Sequence, residues 1–267
     1  MFQPFKLPPG DVCDLEDFPT LISKPGIKKE EGEKLIQKNA AKMAELAQVL
    51  YAEDKQALLL VLQGMDGSGK DGTIRSVMQG VNPRSCQVVS FKKPSELELD
   101  HDFLWRIHNV VPRRGNIGIF NRSHYEDVLV VRVHELVPEA DWRKRFDHIN
   151  QFEKMLAENG TRILKCYLHI SYEEQRKRLQ ARVDNPHDHW KFNPQDLEER
   201  KRWPEYRTAY NEAITLCNTN WAPWYIIPAD RKWYRNLLIS ELLLHTLMEI
   251  DPQKPAPITD YSNIIVE

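Results

Sequence analysis

The sequence lacks an excess of charge of either sign. Its 37 Lys and Arg stand against 39 Asp and Glu, a net charge of -2. No field over the whole chain therefore argues for nucleic acid or a membrane surface, and any anionic ligand has to be met locally. Cysteine is sparse: Cys13, Cys86, Cys166 and Cys217 lie far apart and none forms a Cys-x-x-Cys pair, which excludes a cysteine metal framework and a disulfide scaffold. No uninterrupted apolar run approaches the ~18 residues of a membrane span. Residues 1–7 lead into Pro8, Pro9 and acidic residues in place of the apolar core of a signal peptide. Internal repeats and low-complexity tracts are missing as well. The expectation is a cytoplasmic protein with no membrane and no nucleic-acid partner.

What is present alternates. Residues 1–27 are rich in Pro and Gly with little periodicity and read as an extended arm. Residues 28–267 then form one main domain. Leu35, Ile36, Met43, Leu46, Ala47 and Leu50 recur at helical spacing on a Lys- and Glu-rich background. Ala57-Leu-Leu-Leu-Val-Leu-Gln63 is a short apolar run bounded by charge and glycine, the pattern of a strand buried on both faces. Similar runs at 87–91, 117–120, 162–170 and 224–227 are separated by helix-patterned stretches, and such alternation implies an α/β fold with a parallel sheet. Ser171 and Glu174 have the spacing of a capping box and predict a helix after the fourth run. Residues 184–204, with Pro186, His187, His189, Trp190 and Pro194, read as a mobile flap within a lid spanning about 176–210.

Directly after the first strand comes Gly64-Met-Asp-Gly-Ser-Gly-Lys70-Asp-Gly-Thr73. Its glycines permit the positive-φ turns that aim successive backbone N–H groups at an anion, the following helix adds its positive end, and Lys70 supplies a point charge. Gly67, Gly69, Lys70, Asp71, Gly72 and Thr73 are accordingly the phosphate-binding set. The usual motif ends in Ser or Thr, whose hydroxyl binds Mg²⁺. Here Asp71 follows Lys70, so the metal needs other oxygen donors, and Asp66 and Asp127 are the candidates, with Thr73 in a shifted register as the lesser one.

A second motif, Asn121-Arg122-Ser-His-Tyr-Glu126-Asp127, follows the run at 117–120, at the carboxyl end of a strand where open α/β sheets bind ligands. Arg122 can stabilise charge on a transferring phosphoryl group, or merely pair with Glu126 at helical spacing. Asp66, Lys70, Arg122 and Asp127 make up the catalytic set. Further on, Arg178 and Arg182 fall one turn apart near Arg176, Lys177 and Lys191. That run suits a polyanion lying along a helix, and equally a solvated helix face.

At these residues the chain resembles the polyphosphate kinase 2 family, most closely its class III members. The resemblance rests on Gly64-x-Asp66-x-x-Gly69-Lys70-Asp71-Gly72, Leu104-Trp-Arg-Ile-His108, Phe120-Asn-Arg-Ser-x-Tyr125-Glu-Asp-Val-Leu129 and Ala222-Pro-Trp-Tyr-x-x-Pro228-Ala-Asp230. It implies a thymidylate-kinase-like P-loop kinase fold in three layers with a helical lid. The activity implied is reversible, Mg²⁺-dependent phosphoryl transfer between inorganic polyphosphate and AMP or ADP. Mn²⁺ would be a substitute ion, and guanine nucleotides further acceptors. By the same resemblance Asn121 and Glu126 serve the nucleotide acceptor and Arg178 and Arg182 contact polyphosphate. A homo-oligomer, dimer or tetramer, is expected. An ATP-dependent nucleoside monophosphate kinase on this fold is the alternative; a nucleotide switch would need a guanine-reading Asn-Lys-x-Asp segment, which is missing.

Overall fold

Strand β2, Ala57–Gln63, has all seven residues buried, as its unbroken apolar composition requires. It sits at the centre of a computed structural model that describes residues 4–259. Both sequence-based segments, 1–27 and 28–267, reach beyond that range, at residues 1–3 and 260–267. Five more strands complete the sheet: β1 (Phe5–Lys6), β3 (Cys86–Ser90), β4 (Ile117–Asn121), β5 (Thr161–His169) and β6 (Trp224–Pro228). Their order is β1-β6-β5-β2-β4-β3. All neighbours pair in parallel except β1, which runs antiparallel to β6. The chain thus goes from β2 to β3 and β4 on one side and then to β5 and β6 on the other. That reversal opens a crevice beyond the carboxyl end of β2, where α/β sheets bind ligands.

The five parallel strands are those expected from the apolar runs, within a residue or two at their ends. β1 was not expected, because two residues carry no readable alternation. It arises from the arm, whose Leu7, Cys13 and Leu15 are buried in the main core. Asn218 donates to the Leu7 and Pro8 carbonyls, at 2.8 and 3.0 Å, and holds this segment to the domain.

Helices supply the cover. Lys29–Glu53 and Lys232–Ile250 pack together, and Lys232–Ile250 also meets the helix Lys70–Val77 and strands β5 and β6. Arg145–Glu158 packs on β5. The stretch expected to be a flap folds into a 3₁₀ turn, Pro186–Lys191, and a helix, Gln195–Lys201. An ion pair from Arg182 to Asp196 and a hydrogen bond between the His134 ring and Glu199 hold it in place. Among the described residues, no helix is long and apolar enough to cross a membrane.

Candidate active site

β2 ends at Gln63 and the chain turns through Gly67 and Gly69, with φ of +79° and +98°, the left-handed region that glycine enters freely. At Gly69 the requirement is double, since a Cβ there would lie 2.1 Å from Arg235 Nη1. The first helical hydrogen bond runs from Thr73 N to Gly69 O, so the N–H groups of Gly69 through Gly72 belong to the unpaired first turn. Peptide N–H and C=O groups point opposite ways, and here the two sides of the loop have separate partners. On the carbonyl side Arg235 Nη1 donates to Ser68 O at 2.7 Å. Arg178 Nη1 donates to Gly67 O and Ser68 O, its Nη2 to Ala229 O and Asp230 O, and its Nε to Glu174. The Asp230 carboxylate in turn accepts from Ser171 N and from Thr20 of the arm. The Ser68 hydroxyl is buried within the loop and has no hydrogen-bond partner among the described residues.

The start of the loop, Gly64 to Asp66, borders a narrow cleft also lined by Arg122, Glu126, Glu199, Tyr206 and Tyr210. Lys70 is buried, and its ammonium donates to Gly64 O at 2.7 Å. Burial, with the charge of Arg122 added, depresses its pKa. Arg122 Nη2 donates to Asp66 Oδ1 at 2.6 Å, and its Nη1 lies 3.9 Å from Glu126. Its own backbone has φ of +62°, a conformation costly for a side chain of this size and typical of functional turns. Burial pushes the Asp66 carboxyl upward, but Lys70 and Arg122 outweigh it and hold the group below its usual range. Glu126 goes the other way, raised by burial against the pull of Arg122 and Lys70. The Asn121 amide donates to Asp71 Oδ1 at 2.8 Å, tying the second motif to the first.

The turn that carries Glu126 and Asp127 stands on a buried polar network. Lys165, in the middle of β5, donates to Glu153 Oε2 at 2.6 Å, to Tyr125 Oη at 2.8 Å and to Cys217 O at 2.6 Å. Glu153 Oε1 also accepts from Tyr125 Oη and is bonded to the His124 ring. In a dry interior an ion pair persists only when its remaining hydrogen-bonding capacity is filled, and here three partners, Tyr125, Cys217 O and His124, fill it. Sequence reasoning missed Glu153, Lys165, Arg235 and the buried Gln175, whose amide donates to Asp66 O at 2.8 Å. Lys165 had a signal, a lysine inside an otherwise apolar strand; Arg235, in a helix without other basic neighbours toward its buried face, had none.

Asp66, Lys70, Asp71, Asn121, Arg122 and Glu126 lie together around the loop. Three expectations are corrected. Arg178 does not present a free guanidinium to a polyanion, because all its nitrogens are spent on Glu174 and four carbonyls, with the side chain 8% exposed. Thr73 offers neither donor to phosphate: its N–H is used by Gly69 O and its hydroxyl donates to Asn236. Asp127 is no open metal donor, since Oδ1 accepts from Arg145 at 3.0 Å and Oδ2 from Arg106 at 3.5 Å, and burial raises its pKa.

Among the described residues no group of three or more His, Cys, Asp or Glu side chains is arranged to hold a metal ion. Mg²⁺ does not need one, because it usually takes one or two carboxylates plus substrate phosphates. Asp66, held ionised and lining the cleft, fits that requirement.

The family model for polyphosphate kinase 2 matches residues 26–255. The chain is 54% identical over 226 residues to an AMP/ADP-polyphosphate phosphotransferase from Meiothermus ruber, covering 85% of each. It is 43% identical to an ADP-polyphosphate phosphotransferase from Rhodopseudomonas palustris, covering 94% of this chain and 91% of that one. A solved structure of a polyphosphate kinase 2 from Arthrobacter aurescens superposes with a TM-score of 0.91 at 40% identity, covering 96% of this chain and 91% of its own.

Proposed function

The chain belongs to the polyphosphate kinase 2 family, and from that premise we propose that it moves phosphoryl groups reversibly between inorganic polyphosphate and adenine nucleotides, accepting AMP, ADP or both. The observation that carries the reading is the gathering of Lys70, Asp71, Arg122 and Asp66 around the phosphate loop, with Asn121 bonded to Asp71 and Glu126 beside Arg122.

Phosphoryl transfer asks mainly for alignment and charge neutralisation. The N–H groups of the first helical turn and Gly67 would cradle the phosphates, and Lys70 would exchange the Gly64 carbonyl for a bridging oxygen. Arg122 would leave Asp66 for the transferring group, and its left-handed backbone keeps it at the mouth of the loop. Asp66 would hold a Mg²⁺ ion, which supplies neutralising charge to phosphate oxygens when bound. A nucleotide phosphate is already nucleophilic, so no general base is assigned. Asn121 and Glu126 would meet the acceptor, and 176–210 would close over both as a lid. Mn²⁺ as a substitute ion, guanine acceptors, a homo-oligomeric assembly and a cytoplasmic setting belong to the same proposal.

Incubating the protein with Mg²⁺, polyphosphate and AMP, ADP or GMP, without ATP, and following every nucleotide species over time tests this. Growth of ADP and ATP supports it. Product formation only when ATP is supplied would return the reading to an ATP-dependent kinase.

A further inference from the structure

Three consecutive carbonyls of the phosphate loop accept from one helix, Tyr172–Asp184. Gly67 O and Ser68 O take Arg178, and Asp66 O takes the side-chain amide of Gln175 at 2.8 Å. Gln175 is buried, lines the cleft and packs directly against the loop, since a Cβ on Gly67 would come within 3.3 Å of its Cγ. The other end of the same amide meets the lid. Arg200, on the helix Gln195–Lys201, donates through Nη1 to Gln175 Oε1 at 2.8 Å and to Tyr172 O at 2.7 Å, with its guanidinium over the Tyr172 ring. A guanidinium only donates, so it makes the amide present its oxygen to Arg200 and its NH₂ to Asp66 O. Turned the other way, the amide would set donor against donor at one end and acceptor against acceptor at the other, and both bonds would be lost.

The peptide joining Asp66 to Gly67 is planar, with its C=O and N–H on opposite edges. Holding Asp66 O on Gln175 therefore turns the Gly67 N–H, which has no partner among the described residues, to the edge away from Gln175. Arg178 fixes the next two carbonyls from within its own helix, but the Gln175 bond is conditional on a lid residue. We propose, resting on the polyphosphate reading above, that Gln175 is a positioning residue and that Arg200 acts through it. With the lid helix seated, Arg200 orients the Gln175 amide, the amide clamps the Asp66 carbonyl, and the Gly67 N–H is presented to phosphate. With the lid helix away, the amide is released to turn and that peptide loses its clamp. Arg200 does not line the cleft, so what it contributes to phosphate binding runs through Gln175. The loop thus becomes a complete anion cradle only under a seated lid, which ties phosphate binding to the closure that keeps water from the transfer.

The test is a binding cycle on the full chain. Tripolyphosphate binding is measured by calorimetry at low salt, without nucleotide, for the parent, Gln175→Met, Arg200→Ala and the double variant. Gln175→Met should weaken binding roughly three- to tenfold, the worth of one aligned hydrogen bond. Arg200→Ala should fall in the same range, and the double variant should lose no more than about twofold beyond Gln175→Met. A second readout, which a merely structural role would not move, is the amide signal of Gly67. The chain holds 11 glycines, so selective isotope labelling of glycine resolves it. That signal should shift in both single variants, while those of Gly115 and Gly160, which precede β4 and β5 at the opposite end of the sheet, stay in place. Unchanged tripolyphosphate binding in folded Gln175→Met overturns the proposal, and so does a double variant whose losses simply add. Should Gln175→Met fold poorly, Arg200→Ala decides alone: a stationary Gly67 signal overturns the proposal, and a shifted one with weakened binding supports it. Failure of the functional reading is a separate result: the parent protein would make no nucleotide product from polyphosphate, while tripolyphosphate binding and the Gly67 signal would still report on Gln175.

Discussion

The two sides of the phosphate loop carry the same kind of side chain in opposite states. On the carbonyl side Arg178 and Arg235 are bound to backbone oxygens, four for Arg178 and one for Arg235. Burial, with Arg178 adding its charge, pushes the Arg235 pKa down to about 9. In a second set Lys70 has one carbonyl, Arg122 has carboxylates, and Arg182 has Asp196. Bonds to the first set hold the loop's shape, and breaking them leaves buried carbonyls unsatisfied. Bonds to the second set can be traded one for one with phosphate oxygens. Cations are therefore sorted into scaffold and machinery by the partners they hold, and charge alone does not reveal which is which.

The comparison predicts its largest effect at Lys70. Lys70→Ala should lower turnover by roughly two orders of magnitude or more, about 3 kcal/mol of transition-state stabilisation, with little change in melting temperature. Near-normal turnover in the folded variant would put the phosphates elsewhere and dissolve the distinction between the two sides. Arg178→Ala should show the reverse emphasis. Leaving four carbonyls and Glu174 without their partner should cost about 2–4 kcal/mol, a drop of roughly 5–15 °C in melting temperature for a protein of this size. An unchanged melting curve would mean that Arg178 is as expendable to the fold as Lys70.

The two carboxylates once paired as metal donors should separate. Asp66→Asn should raise the Mg²⁺ concentration for half-maximal activity by about tenfold. Asp127→Asn should leave that titration in place and instead lower thermal stability, since Arg106 and Arg145 lose their shared anion. A Mg²⁺ titration shifted by Asp127→Asn and not by Asp66→Asn would reverse the assignment. The smallest effect is expected at Arg182. Arg182→Ala should flatten the salt dependence of KM for polyphosphate by about one charge's worth while leaving KM for nucleotide within about twofold. Equal losses for both substrates would place Arg182 with Arg178 on the scaffold side.

Much of this site was legible because its determinants are local. The run from Gly64 to Thr73 encodes its own turn through glycine, and a strand of seven apolar residues followed by that turn has few places to go other than the centre of a parallel sheet. Asn121, Arg122 and Glu126 could be placed for the same reason, lying at or just beyond the end of a recognisable strand. That the Thr73 hydroxyl donates to Asn236, 163 positions away, was beyond the reach of local pattern. β1 escaped because two residues make no pattern, and Glu153 because an acidic residue on an amphipathic helix ordinarily faces water.

By itself the sequence determined the alternation of strands and helices, the phosphate loop, the family and the identity of the charged groups available for catalysis. Only the tertiary structure decided which of those groups are free to act. Arg178 and Arg182 are one helical turn apart and indistinguishable by composition or spacing, yet one meets the Gly67, Ser68, Ala229 and Asp230 carbonyls and the other meets Asp196. A guanidinium's role follows from the acceptors within about 3 Å of it, and here those acceptors come from segments that only folding brings beside the helix.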